Sequence, residues 1–429
     1  MNVDAPSLAA SMVLSLVVMG LPGNVMAQEL SGNAALSVSA AVTEALSNNP
    51  EINAAKDKLK VVQAGAAQAG YLEDPQVALQ FNGVPFSNPT SFNQSDWNSI
   101  GIRQMVPFFG KLGLKEEIAQ QGVKVAEQEV RAKEREIISM VKIAYADLFM
   151  AQKAIEILRE QLEIMRTVIG ATEARYRVGR GTQQDVFKAL LEQSALMNQL
   201  IVAESDSSAA QVRLNTAMFR PPKRAIQVSS NLDLDDSKVV APGLDQMALA
   251  NRPELRGAEE EIARSEKKSE LADRNRKFPD FMLGWDYMRM PTDMKKDRYG
   301  AMVNITIPFS PWTIGKRNYE VEEMLAEVRA ARSNREAMRN MTLKQVGELR
   351  AKVQAATRSV HLYREGLLTQ AELSFRSAMA AYQAGRVEFV NLLEAERTLR
   401  EVRMGYYTSQ VKLVQWLADL ERVVGKELQ

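Results

Sequence analysis

Cysteine is missing altogether from the 429 residues, and histidine occurs once, as His361. Without a thiol there is no disulfide, no thiolate metal site and no cysteine nucleophile. A lone imidazole beside a helix seam has no visible partner for general-base or metal work. Net charge is almost absent too: Lys+Arg 54 against Asp+Glu 53 leave +1, which argues against a nucleic-acid partner held by bulk attraction to phosphate. Past residue 28 no window of about eighteen consecutive apolar residues occurs, so no helix is available to span a bilayer. Lys and Arg are missing before Lys56, and proline is missing from two long runs, 108–220 and 312–429. With no convergent acid, base, nucleophile, phosphate loop or metal motif, an enzyme is not expected, nor a cofactor or bound metal.

The proline-free runs hold the strongest positive signal. In the second run, Val346, Leu349, Val353, Ala356, Val360, Tyr363 and Leu367 form one apolar seam. Leu392, Ala395, Leu399, Val402, Tyr406, Ser409, Leu413, Trp416, Leu420 and Val423 form another. Steps of three and four keep one stripe toward a neighbouring helix over many turns. Gly385 lies between the seams, where a glycine lets the chain leave a helix. A long antiparallel helical hairpin is therefore predicted, with its turn near Gly385. The first run repeats the pattern, outward through Ile137, Val141, Ala144, Leu148, Ala151, Ile155, Leu158, Leu162 and Met165. It returns through Val186, Ala189, Gln193, Leu196, Leu200, Ala203, Ser207, Ala210, Leu214 and Ala217. The outward helix of the first hairpin reaches roughly 85 Å at 1.5 Å per residue.

Landmarks recur at an offset near 200 residues. Asn48-Asn49-Pro50-Glu51 returns as Asn251-Arg252-Pro253-Glu254, Pro75 as Pro279, and Val106-Pro107-Phe108 as Ile307-Pro308-Phe309. Gly110-Lys111 returns as Gly315-Lys316, and Tyr176-x-x-Gly179-Arg180 as Tyr382-x-x-Gly385-Arg386. The chain is an internal duplication. The first repeat covers 28–219, with a helix at 36–70, strands at 75–82 and 97–106 and a hairpin at 111–219. The second covers 246–424, with a helix at 246–276, strands at 279–287 and 299–308 and a hairpin at 316–424. A linker of weak strand character (220–245) and a short tail (425–429) complete the chain. Ahead of them, the apolar run Leu8–Met19 and small residues at Val25-Met26-Ala27 point to an export signal over 1–27, though its usual basic start is missing.

Within the strands, Val77, Leu79 and Phe81 alternate with Gln76, Ala78, Gln80 and Asn82. Tyr299, Ala301, Val303, Ile305 and Ile307 alternate with Gly300, Met302, Asn304 and Thr306. Period two is the strand signal, and an apolar face opposite a small or polar one suits a membrane barrel with water inside. Two hairpins on a water-soluble helical protein would satisfy the same alternation. Four strands cannot close a barrel alone, so entry into a membrane requires self-association.

The duplication, the Pro-Glu turns at Pro50 and Pro253, the Pro-Phe-Phe-Gly-Lys and Pro-Phe turns and the Tyr-x-x-Gly tips resemble the TolC-type outer-membrane efflux proteins. The likeness runs from residue 36 to 424. Asp74-Pro75 and Asn82-Gly83-Val84-Pro85 resemble the branch serving heavy-metal efflux. The resemblance implies a mainly α fold with a small β part, in which a homotrimer forms a 12-stranded outer-membrane β-barrel continued by a long α-helical barrel in the periplasm. It implies a passive exit duct of a tripartite system in a Gram-negative cell. The partners are a periplasmic adaptor, an inner-membrane pump of the resistance-nodulation-division type and outer-membrane lipid, with no nucleic acid. The alternatives are a type I secretion duct, or a periplasmic coiled-coil protein without a pore. By the same resemblance the gate and docking tip comprises Tyr176, Gly179, Arg180, Thr182 and Asp185 in the first repeat. Tyr382, Gly385, Arg386, Asn391 and Glu394 form it in the second, with Tyr382 bonding an acid on the adjacent hairpin. Val387 stands where the family has an arginine, and Arg386 is the nearest substitute.

Other motifs are better explained without a site. Met282, Met288, Met290 and Met294 read as strand and loop packing, Gly179-Arg180-Gly181-Thr182 lacks the strand a phosphate loop needs, and Glu259-Glu260-Glu261 reads as a solvated helix face.

Overall fold

The computed structural model describes residues 35–229, 231–232, 243–290 and 297–428. The export signal at 1–27, Met294 and much of the 220–245 linker lie outside the described residues. The spacing predicts one leading helix over 36–70, but the chain forms two: α1 (Val38–Asn48) and α2 (Pro50–Ala69). Pro50 cannot donate to the turn before it and starts a new helix instead, with the Asn49 side chain accepting from the Glu51 N–H at 2.8 Å. The second repeat breaks at the same place, into α5 (Leu244–Asn251) and α6 (Pro253–Lys277). Here Arg252 replaces the asparagine. Its buried guanidinium donates to Thr342 Oγ1 at 3.0 Å and Gln345 Oε1 at 2.8 Å on the long helix beside it.

The first hairpin is α3 (Lys111–Arg177) and α4 (Gln183–Ala217). The second is α7 (Ile314–Leu362), a π-turn (Tyr363–Leu367), α8 (Leu368–Gln383) and α9 (Phe389–Val424). The seam residues do face inward: Ile137, Leu148, Met165, Leu196, Leu214, Val346, Val353, Leu392 and Leu420 are all essentially buried. The heptad spacing predicts no interruption at the π-turn. The seam read from the sequence ends at Leu367, where the π-turn ends, so the extra residue that a wider turn absorbs falls beyond the last position it tests.

Among the described residues a single antiparallel sheet runs in the order β1-β2-β3-β4, with β1 Gln76–Asn82, β2 Trp97–Val106, β3 Asp280–Arg289 and β4 Arg298–Thr306. The two repeats meet at β2 and β3, where Val106 faces Phe281 and Ile102 faces Trp285. Below that junction, the buried Lys111 ammonium donates to the Phe278 carbonyl at 2.8 Å and pairs with Asp280 at 2.9 Å. Asp280 also accepts from the Phe108 N–H at 3.1 Å. On one face of the sheet Val77, Leu79, Ile100, Ile102, Leu283, Trp285, Tyr299, Val303 and Ile305 all stand exposed. Ser99, Gly101, Arg103, Gly284, Asp286 and Asn304 alternate with them onto the other face.

The helices follow the strand order. α3 packs against α2 and α4, and also against α6 and α9; α7 packs against α6 and α9, and α8 against α9. Four columns result: α2 with α4, then α3, then α6 with α9, then α7 with α8. Where the leading helices meet the hairpins, the linker lies alongside. Leu36 bridges Val228, and the Tyr145 hydroxyl donates to the Leu36 carbonyl at 2.7 Å.

The hairpin tips and the charged cluster behind them

Both tips close in one way. In the first, the Arg180 N–H returns to the Arg175 carbonyl at 2.9 Å and the Gly179 N–H to the Tyr176 carbonyl at 3.0 Å. In the second, Arg386 reaches Ala381 at 2.9 Å and Gly385 reaches Tyr382 at 3.0 Å. This pattern needs a left-handed residue after the helix, and Gly179 (φ 68°) and Gly385 (φ 75°) supply it. The return helices differ. Thr182 and Asp185 form a reciprocal capping box on α4, Asp185 N–H to Thr182 Oγ1 at 3.2 Å and Thr182 N–H to Asp185 Oδ2 at 3.3 Å. α9 has Glu388 ahead of its first turn and no side-chain cap. Asn391, in the place of Asp185, donates its backbone N–H to the Glu388 carbonyl at 3.2 Å.

The sequence-predicted residues do not all converge. Tyr176, Gly179, Arg180, Thr182, Gly385, Arg386, Asn391 and Glu394 lie at the surface, fully or partly exposed. Tyr382 is buried, and within this chain its hydroxyl meets Thr172 Oγ1 at 3.3 Å, not an acid. Its ring lies edge-on to Phe389, centroids 5.8 Å apart, and under the Arg175 guanidinium at 4.5 Å. Arg175 also donates to the Tyr382 carbonyl, and at 3.0 Å to the Arg180 carbonyl. Arg175 therefore ties the end of α3 to the end of α8. Its signal was its place in the last turn of α3, where a cation favours the helix C-terminus.

About three turns back from each tip glycine lies a cluster that the seam pattern passes over. Glu192 on α4, almost wholly enclosed, accepts from Arg397 and, at 3.2 Å, from Arg400, both on α9. Arg400 also reaches Glu396 Oε1 at 3.4 Å, while Glu396 Oε2 is buried with no partner. Burial pushes the Glu396 carboxyl up to about 7, with Arg400 opposing the shift and Glu192 adding to it. Burial also acts to raise Glu192, but the hydrogen bonds and charges of Arg397 and Arg400 outweigh it and hold that carboxyl below the ordinary glutamate range. One α9 turn further, Arg403 reaches Glu160 on α3 at 2.9 Å and Glu372 on α8 at 3.1 Å. The two hairpins are thus pinned by charge where their tips are pinned by Arg175. Chemically the arrangement holds helices together. Among the described residues no group of acids and histidine is placed to hold a metal ion. His361 lies half-exposed beside Glu365 at 3.3 Å.

Among the described residues no helix is long and apolar enough to cross a membrane. A small sheet with one exposed apolar face, continued by paired hairpins of great length, has the layout of an outer-membrane channel protein. The family described as outer membrane efflux protein matches residues 41–218 and 244–426, and the chain belongs to it. It is 22% identical over 396 residues to the cobalt-zinc-cadmium resistance protein CzcC of Cupriavidus metallidurans, covering 91% of this chain and 90% of that one. It is 24% identical over 401 residues to the pyoverdine export outer membrane protein OpmQ of Pseudomonas aeruginosa, covering 89% and 82%. The fold is shared with CusC (TM-score 0.76, 19% identity, 91% and 95% covered). It is shared too with the outer membrane protein VceC of Vibrio cholerae (TM-score 0.75, 17% identity, 91% and 97% covered).

Proposed function

We propose that three copies close into one twelve-stranded outer-membrane barrel, continued by a ring of helical columns across the periplasm. The assembly passively conducts what an inner-membrane pump of the resistance-nodulation-division type delivers through a periplasmic adaptor. One observation carries this reading: the open edges of the sheet and of the helical layer fall on the same elements. β1 continues into the α2/α4 column and β4 into the α7/α8 column, and each flank has a neighbour on one side only. Bare strand edges cannot be left in lipid. The helical flanks are unfinished as well, with Phe187, Leu191, Met197 and Ile201 exposed on α4 and Leu325, Met341, Leu362 and Leu373 exposed on α7 and α8. A second copy covers both at once.

In this reading the tips form the periplasmic mouth and the adaptor's docking surface. Threefold symmetry gathers Glu394 into three carboxylates around the axis, and Tyr176, Arg180, Arg386 and Asn391 rim the opening. Asp185, Thr182 and the two glycines shape the turns that carry them, and Tyr382 with Arg175 holds the hairpins shut. The likeness to CzcC supports metal ions as cargo. The mature chain should need detergent, run as a heat-sensitive trimer and give steps of conductance in planar bilayers. A chain that stays monomeric and dissolves without detergent overturns the proposal.

A further inference from the structure

We infer that the seam between neighbouring copies repeats the register of the junction inside the chain, with Ile305 of β4 opposite Leu79 on the neighbouring copy's β1. The inference rests on the trimeric duct reading, and specifies the contact by which one copy recognises the next.

The template is the β2–β3 junction, where the first repeat already meets the second. There the last ladder residue before Pro107 is Val106, and it faces Phe281, two residues after Pro279. The same landmarks bound the open edges: Ile307 precedes Pro308 at the end of β4, and Val77 follows Pro75 at the start of β1. Carrying the internal junction to the seam therefore sets Ile307 against Val77, Ile305 against Leu79 and Val303 against Phe81. All six are exposed in the single copy. Each apolar residue thus meets an apolar residue on the outward face, continuing the row in which Leu79 already faces Ile100 and Leu283 faces Val303.

Barrel geometry tests the choice. A level walk from Val77 crosses Ile102, Trp285 and Ala301. In the inferred register it arrives at the neighbouring copy's Gly83, a gain of about six residues per copy, hence a shear of about 18 for three copies. With strands about 4.8 Å apart and a rise of about 3.3 Å, the strands tilt by about 45°, the upper end of the usual range. A slip by two residues one way steepens them to about 55° on the same geometry. A slip by two the other way sets Ile307 opposite Pro75, which has no N–H for the ladder. A slip by one turns apolar side chains into the lumen. Below the seam, charges complement each other. Lys316, the counterpart of Lys111, is exposed and lies 3.9 Å from Glu320, while Asp74, beside Pro75, is exposed on the opposite edge.

The chain has no cysteine, so paired cysteines read the register cleanly. Leu79→Cys with Ile305→Cys, oxidised in outer membranes, is expected to give covalent dimer and trimer bands at least ten times stronger than Val77→Cys/Ile305→Cys or Phe81→Cys/Ile305→Cys. Within one copy the two positions sit on opposite sheet edges, about 14 Å apart across the sheet and, since Leu79 lies level with Tyr299, about 20 Å further along the strands, beyond disulfide reach. Strongest cross-linking in a slipped pair, or none in any pair of a chain that still runs as a heat-sensitive trimer, overturns the register and leaves the duct standing. Absence of the trimer itself removes both.

Discussion

Raising the pH through 7 should loosen the grip between the hairpins, and Glu396 is the reason. Its carboxyl is pushed by burial from an ordinary 4.5 to about 7. When the hairpins part, water reaches it and the ordinary value returns. Below about pH 4.5 the group is neutral in both states and the packing bears no cost. Between 4.5 and 7 the released state ionises while the packed state still holds its proton, so packing weakens steadily. Above 7 the loss is complete. From pH 5.5 to pH 8 the change is roughly 2 kcal/mol, or about 30-fold in the opening equilibrium. Glu192 does not confuse this window. Its carboxyl lies below the ordinary range, so it is ionised in both states throughout, and its own contribution fades only as pH falls into the acid range. Hydrogen exchange of the Phe389–Arg400 amides, corrected for intrinsic rates, measures the opening. Glu396→Gln keeps the shape without the titration and should hold protection level across the range. Equal pH dependence in wild type and variant, or none in the wild type, would refute the reasoning.

Other consequences are simpler to read. Arg175→Ala removes hydrogen bonds to two carbonyls and the ring contact with Tyr382, whereas Tyr382→Phe removes one hydroxyl bond worth about 1 kcal/mol. Single-channel conductance should therefore rise more in Arg175→Ala, and the reverse order would count against Arg175 as a tie. Asp185→Ala breaks the capping box and should cost the first turn of α4 about 1 kcal/mol, seen as faster exchange near residues 183–186, with Asp185→Asn closer to wild type. Lys111→Ala strands the Phe278 carbonyl and Asp280 at the base of the sheet. Denaturant unfolding should show a loss of about 2 kcal/mol, and an unchanged midpoint would mean water replaces the ammonium without cost.

The long elements were legible because their signals repeat. Every few residues another seam position, from Ile137 to Val423, restates which face is inside, and the alternation in β4 restates its pleat. Single events were not. Pro50 is plain in the sequence, yet a proline can kink a helix or split it, and the pattern does not say which; Pro253 splits its helix as well, with no side-chain cap before it. The buried cluster escaped for a different reason. Glu192 and Glu396 sit beside seam residues, where an apolar pattern reads a charged residue as facing water. Only the approach of α4 and α9 brings Arg397 and Arg400 across to enclose them. Tyr382 was legible as a residue at the tip but not in its partner, because Thr172 lies 210 positions away along the chain.

The two repeats are alike enough to tile a ring and unlike enough to divide the work within it. α3 runs unbroken from Lys111 to Arg177, and α4 begins with a capping box. The second hairpin has neither feature: α7 gives way to the π-turn at Tyr363–Leu367, and α9 begins uncapped. A π-turn carries one residue too many for its helix, and its wider backbone is a natural place to bend. Tyr363 there lies against Gly405 of α9, so closely that a Cβ on the glycine would come within 2.5 Å of the hydroxyl. In the duct reading we therefore predict that the second hairpin is the leg that swings, about a hinge level with Gly405, with the first as its frame. Deleting Gly366, where an added Cβ would meet nothing within 4 Å beyond its own helix, removes the extra residue and leaves both flanks in phase. Exchange over residues 363–383 should slow, α3 should be unaffected, and channel opening on adding adaptor should fall. Slower exchange with undiminished opening would mean that the hinge lies elsewhere.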